Sequence, residues 1–461
     1  MNGLAARPRG AAAGRVAAAV VALLAVALGA ATVLDPVLAF FAVAGLAALF
    51  FAARDASALI VATLLAGMIG EPWDIAYANV SVAGLNLYPA DLLILLLLAA
   101  WVLATLRDGA VPAPARRRSD LALWALLAYG LFALARGLQL HGSTALPAFR
   151  QQYIYPLLYF LALWALRDRA ARRQLLIGIF AGALAITLLG FYNALTGQPV
   201  GSATSTFSYR YLSGLQALAI FFGLALLAGY VWTRARPVWS LVLGAIYLAG
   251  VFLSQARSVW LGGVLGGIVA LFAASGRSRS QLLRYAPLVA LVLVLSIGAV
   301  VTVNMGMTAD LATRAASVTD VSEDLSTMWR LFVWGEAVKE LQHQPLLGLG
   351  LGHQFKYYDV IDDEWKANRQ LHNSYLERAY LSGAISVLLL IAFQFFVLVV
   401  TLRAARRAAG RPREGELLAL AGCQIALAGV TFTNVVSASL VSTLYVWVLS
   451  AVSVLEAEQD G

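Results

Sequence analysis

The sequence predicts an all-α fold, a polytopic transmembrane bundle of about 12–14 spans with a partly helical outer loop. Three observations carry that prediction. Of 461 residues, 61% are hydrophobic and 12% are charged, whereas a soluble domain is about 25% charged. Apolar runs near the ~20 residues needed to cross hydrocarbon follow one another along the chain. The connections between those runs alternate between basic and non-basic.

The runs begin near positions 16, 36, 56, 89, 120, 153, 174, 211, 237, 258, 285, 375, 416 and 437. The first, Val16 to Leu34, follows Arg7, Arg9 and Arg15. It is long and is followed almost directly by another run, so it reads as a retained signal anchor. The third, Ser57 to Gly70, is the weakest. Basic connections are the N-terminus, Arg54, "RDGAVPAPARRRSD", "RDRAARR", "RARP", "GRSRSQLLR" and "RAARRAAGRPRE". The positive-inside rule puts these and both termini in the cytoplasm and the 304–374 loop outside. Residues 1–461 are therefore expected to form one integral membrane domain, the loop carrying part of its site. The net charge of +9 is explained by topology, so no nucleic-acid partner is expected. One cysteine, Cys423, excludes an intramolecular disulfide and a thiolate metal cluster.

Arginines on the outer side run against this charge bias and need another reason to be there. They are Arg150, Arg210, Arg257, Arg314, Arg330, Arg369 and Arg378. The stretch "RQLHNSYLERAYLSG" adds a histidine, His372, just before an apolar run. Ser374 and Glu377 form the S-x-x-E capping-box pattern, which predicts a helix starting at Ser374. The positive end of that helix dipole favours neutral imidazole, which can accept a proton. The plainer reading is a hydrogen-bonding interfacial histidine, and it suits His141, His343 and His353 better.

Arg257, in "LSQARSVWLGG", sits in a turn too short for the side chain to wander. Arg330 opens "WRLFVWGEAVKELQHQPLLGLGLG", where Trp334, Ala337, Val338 and Leu341 form an apolar stripe that Pro345 ends. Arg210, in "TFSYRYLSG", is a third arginine at a span boundary. "GLGLG", Gly348 to Gly352, lacks the GK[ST] ending of a phosphate loop and reads as a turn. The acidic run Asp359, Asp362, Asp363, Glu364 contains no D-x-D, and neither metal nor cofactor is expected.

"SQAR", "WRLFVWGEAVKELQHQPLLGLGLG" and "HNSYLERAYLSG" together resemble the signature of the O-antigen ligase and polymerase superfamily. The resemblance covers Tyr209 to about Phe395. His372, Asn373, Leu376 and Gly383 match its H-[NS]-x-x-L…G motif, with Ser374 and Glu377 as support. Arg257 and Arg330 match its outer-facing arginines, with Arg210 in reserve. The resemblance implies a bacterial inner-membrane glycosyltransferase with its site on the periplasmic face. Its donor would be an undecaprenyl-pyrophosphate-linked glycan, its acceptor lipid A-core or another glycan repeat, and its surroundings membrane lipids. His372 would be the base and the arginines would bind pyrophosphate. A protein O-oligosaccharyltransferase and a lipid-linked glycan flippase are the alternatives. A flippase would place charges near the midplane, and these spans are almost free of charge.

Overall fold

In the computed structural model, the described residues are 55–70, 80–82, 85–108, 117–196, 211–231, 238–254, 256–280, 325–359, 364–368, 371–433 and 440–459, with isolated positions between 283 and 298. The two N-terminal spans read from the sequence, Arg210, Arg314 and Arg369 lie outside them, as do Asp362 and Asp363.

Helix α1 (Ala56–Gly70) is followed by a small antiparallel pair, β1 (Val80–Val82) and β2 (Leu85–Leu87), then by α2 (Pro89–Asp108) and α3 (Arg118–His141). A 3-10 turn over Gly142–Thr144 leads to α4 (Ala145–Phe149), a π-turn over Arg150–Ile154 and α5 (Leu157–Ala165). Then come α6 (Arg169–Thr196), α7 (Gly214–Val231), α8 (Val238–Leu253) and α9 (Arg257–Ala273). Helix α10 (Leu325–Leu341) and the hairpin β3 (Phe355–Asp359) and β4 (Glu364–Asn368) belong to the large loop. Helices α11 (Ser374–Arg407), α12 (Pro412–Thr433) and α13 (Leu440–Glu458) complete the chain.

Among the described residues five helical stretches are long and apolar enough to cross a membrane, and four shorter apolar helices accompany them. One stretch, Arg118–Ala165, is a hairpin rather than a rod. Gly142 takes φ 61°, and the chain doubles back until the Tyr159 hydroxyl donates to Asp120 Oδ1 at 2.8 Å. Two spans, as the sequence predicts near 120 and 153, therefore share one helical run.

Edge-to-face rings help fill the interior, with Phe393 edge-on to Tyr159 at 5.0 Å and Phe222 edge-on to Tyr445 at 4.6 Å. Cys423 is buried among them. Helices α9 and α12 pack backbone to backbone. A Cβ on Gly262 would lie 2.8 Å from the Ala426 carbonyl, and one on Gly266 would lie 2.6 Å from that of Gly422. Small residues permit such close approach where hydrophobic drive between helices is weak. The pairs 262–426 and 266–422 fix an antiparallel register. Carried outward one turn, that register sets Arg257 level with the last turn of α12.

At the end of the bundle away from the large loop, carboxylates of α13 meet arginines from three other segments. Arg172 Nε lies 2.6 Å from Glu456, Arg413 lies 3.3 Å from the same carboxylate, and Arg117 pairs with Glu458.

Candidate functional site

Helix α11 is two helices joined at Gly383, whose φ and ψ are 80° and 172°. Residues 384–407 alone make about 36 Å of helix at 1.5 Å per residue, enough to cross a ~30 Å hydrocarbon core. Ser374 to Ser382 is thus a half-helix beyond the length that crossing requires. The break frees backbone groups, and the turn after α10 satisfies them. Leu349 N–H donates to the Tyr380 carbonyl at 2.8 Å, Gly350 N–H to that of Leu381 at 3.1 Å, and Ala384 N–H to that of Pro345 at 2.9 Å. The Tyr129 hydroxyl donates to the Ser382 carbonyl at 2.6 Å. This arrangement explains two glycine features. A Cβ on Gly383 would stand 2.0 Å from the Leu346 carbonyl. The "GLGLG" stretch is a turn, as the sequence predicts, with positive φ at Gly348, Gly350 and Gly352.

His372 precedes this half-helix and is the one non-glycine residue with positive φ among the described residues, at 49°. That conformation costs an L-residue about 1–2 kcal/mol, so its neighbours must hold it. The Leu371 carbonyl accepts from Trp334 Nε1 at 2.7 Å. The Glu377 carboxylate turns back toward the Leu371 backbone N–H. On the other side, Asn373 Oδ1 accepts from Tyr375 N–H at 3.1 Å and Leu376 N–H at 3.0 Å.

The helix starts at Ser374 as predicted, but the cap is Asn373. The capping-box pattern put that role one residue late, because Asn is as good a cap as Ser and here it has the extended backbone that a cap requires. Glu377 is buried, and its Oε2 has no hydrogen-bond partner among the described residues.

The imidazole of His372 meets the Trp329 ring edge-on, centroids 5.6 Å apart. Burial, and secondarily the positive field of Arg330, hold it below the ordinary histidine range. The sequence argument from the helix dipole reaches the same neutral state by a different cause. Arg330 is half-buried and lies on the second turn of α10, not at its start, since the helix begins five residues earlier at Leu325. The buried stripe of α10 is Val333 and Ala337, flanked by Trp329 and Trp334, while Val338 is 43% exposed. Of the apolar stripe read from the sequence, Ala337 is buried and Trp334 and Leu341 are partly buried, while Val338 faces outward and Val333 takes its place.

Both indoles of α10 are anchored. Trp329 Nε1 donates to the Tyr357 hydroxyl at 3.2 Å, and the Trp334 ring meets Phe432, near the end of α12, at 5.7 Å. Arg257 opens α9 behind a tight turn closed by Trp260 Nε1 donating to the Val251 carbonyl at 3.1 Å. The α9–α12 register sets Arg257 level with Phe432. Arg330 and His372 are thus neighbours, and Arg257 is at the same end of the bundle.

Arg378, on the same half-helix, is buried and donates to Ser386 Oγ at 3.1 Å and the Gln152 carbonyl at 2.9 Å. It braces the break against the π-turn. Among the described residues no group of three or more His, Cys, Asp or Glu is arranged to hold a metal. Trp329 was not singled out from the sequence, and Trp334 was read only as part of an apolar stripe. They act on residues 43 and 37 positions away, and only the half-occupied stripe of α10 hints at them.

A half-buried, conformationally held imidazole beside a guanidinium, set at one end of a multi-pass helical bundle, defines the class: a helical membrane protein with an imidazole and a guanidinium brought together at one end. Residues 240–391, from α8 to midway along α11, match the family model Wzy_C, O-antigen ligase. That segment contains Arg257, Arg330 and His372, and the match supports the O-antigen ligase superfamily. No curated protein matches the chain.

Proposed function

We propose that the chain transfers a glycan from undecaprenyl pyrophosphate to an acceptor hydroxyl, as an O-antigen ligase or glycan-repeat polymerase of the bacterial inner membrane. The whole chain acts as one membrane domain, its 304–374 loop on the periplasmic side. The observation that carries this reading is His372, favoured as the neutral form by burial and Arg330 and held in a left-handed backbone by Trp334, Glu377 and Asn373 within the matched segment.

A neutral imidazole takes the proton of the attacking hydroxyl. The hydroxyl oxygen then bonds to the anomeric carbon as the bond to the pyrophosphate oxygen breaks, inverting the centre. Arg330 and Arg257, with Arg210 in reserve, stabilise the charge developing on the pyrophosphate through charge-assisted bonds, the part a metal plays elsewhere.

The test is purified protein in proteoliposomes with an undecaprenyl-pyrophosphate glycan, offered lipid A-core, a second repeat or a serine-bearing peptide, in the presence of a chelator. Transfer to lipid A-core or to a repeat is expected. Transfer only to the peptide would make it a protein O-transferase. Strict dependence on added Mg²⁺ would replace the arginine clamp with a metal.

A further inference from the structure

Helix α10 is apolar on two sides. Its inner side carries Val333 and Ala337, both buried, and brings Trp329 to His372. Met328, Leu331, Phe332 and Val338 fall on the opposite side, on a face about 120° wide at 3.6 residues per turn. Each of the four is 43% to 49% exposed. Gly335, in the middle of that face, has open space where a Cβ would stand. The charge on the face is Lys339, which pairs with Glu336 at 2.5 Å. A helix lying between a protein core and water needs one apolar stripe, with polar residues on its other side. The second stripe of α10 calls for a second apolar surface.

Two contacts fix the height of this helix against the membrane. Residues 384–407 make the crossing of α11, so the break at Gly383 marks the edge of the hydrocarbon at that end. There the Pro345 carbonyl accepts from Ala384 N–H at 2.9 Å, and the backbone of Leu346, whose side chain is exposed, lies against Gly383. Phe432, one residue from the end of α12, is exposed and meets Trp334 at 5.7 Å. The middle of α10 and the turn that follows it are thus both level with the edge of the hydrocarbon, and the helix runs along that boundary. We infer that Met328, Leu331, Phe332 and Val338 form a membrane-docking face, seated among the acyl chains of the leaflet at that end of the bundle. Val338 is the i+4 neighbour of Trp334, so the face runs on from Phe432 at the end of a crossing helix. Lys339 has the long apolar stem that lets its ammonium reach the headgroups, where anionic lipid favours it. One helix then walls His372 with its inner side and holds that wall at headgroup height with its outer side. The inference needs only the multi-pass bundle and stands apart from the chemistry proposed for His372.

The test places the full chain in proteoliposomes of phosphatidylethanolamine and phosphatidylglycerol, with one nitroxide label at Met328→Cys, Leu331→Cys, Phe332→Cys or Val338→Cys. Cys423 is buried and stays in place, and wild type carried through the same labelling is the blank. Oxygen concentrates in hydrocarbon and a nickel chelate in water, so the relaxation each one causes reports the depth of the label. All four labels are expected to respond more to oxygen than to nickel, at about 5–10 Å into the headgroup and acyl boundary, the depth of an interfacial helix. A stronger response to nickel puts the face in water and overturns the inference. Shielding from both reagents puts protein on the face and overturns it as well. In that case dipolar broadening that disappears on dilution with unlabelled chain identifies the cover as a second copy.

Discussion

Two histidine regions lie at the same end of the bundle and are built in opposite ways. His353 Nε2 sits 2.9 Å from Glu340 Oε1, and the other Glu340 oxygen accepts from the Tyr380 hydroxyl. His141 lies edge-on to His353 at 5.3 Å and makes a hydrogen bond to the Leu349 carbonyl at 3.0 Å. Each contact there ends on the turn or helix that braces the break in α11. His372 instead has an indole edge, an arginine's field and a strained backbone held from both sides. A carboxylate beside an imidazole ties it into the scaffold. Burial, with an arginine beside the ring, favours the neutral form. On the proposed function the difference separates a bracing histidine from a reacting one, and the tests below press on it from the largest effect to the smallest.

His372→Ala should lower transfer by about 10²–10⁴-fold, the worth of a general base, with donor affinity little changed. His353→Ala in the same proteoliposomes should keep near-normal turnover. Equal losses in both would erase the distinction.

Arg330→Ala and Arg257→Ala each remove charge-assisted bonds of about 1.5–3 kcal/mol, or about 10- to 150-fold in donor affinity, turnover or both. Lysine should restore only part, since it lacks the planar fork. Single-turnover rates and donor titrations would show this. Full rescue by lysine would mean a point charge suffices.

Gly383→Ala strains both the backbone, at φ 80°, and the approach of Leu346. It should cost about 1–3 kcal/mol or more, read as a lower melting temperature in detergent, with the turn after α10 exchanging amide hydrogens faster. His353→Ala, which removes one bond to Glu340, should cost about 1 kcal/mol on the same assay.

The sequence made the spans legible because hydropathy and charge alternation are local. The α3–α5 hairpin, the start of α11 and the turn at Gly348 to Gly352 all followed from short-range signals. His372, Asn373 and Glu377 were found through a motif spanning a dozen residues. What stayed hidden acts over distance. Trp334 holds Leu371 and Trp329 walls His372 across the whole length of the loop, and Glu340 meets His353 through a fold that places them together. The hairpin was read only as an acidic run, because its alternation of buried and exposed rings means little until Tyr380 and Trp329 supply the surface it covers.

The most direct test of a neutral His372 under the field of Arg330 is the pH dependence of kcat/KM for transfer, which reports groups of the free enzyme. Protonated His372 cannot act as base, so activity should fall on the acid side through its pKa. That midpoint should lie below about 6.5, the ordinary histidine value, because burial and Arg330 both disfavour the charged form. Arg330→Gln removes one of those two causes, so its acid limb should move to higher pH. A wild-type limb at or above 6.5, or one that Arg330→Gln leaves in place, would contradict the assignment of His372 as the base.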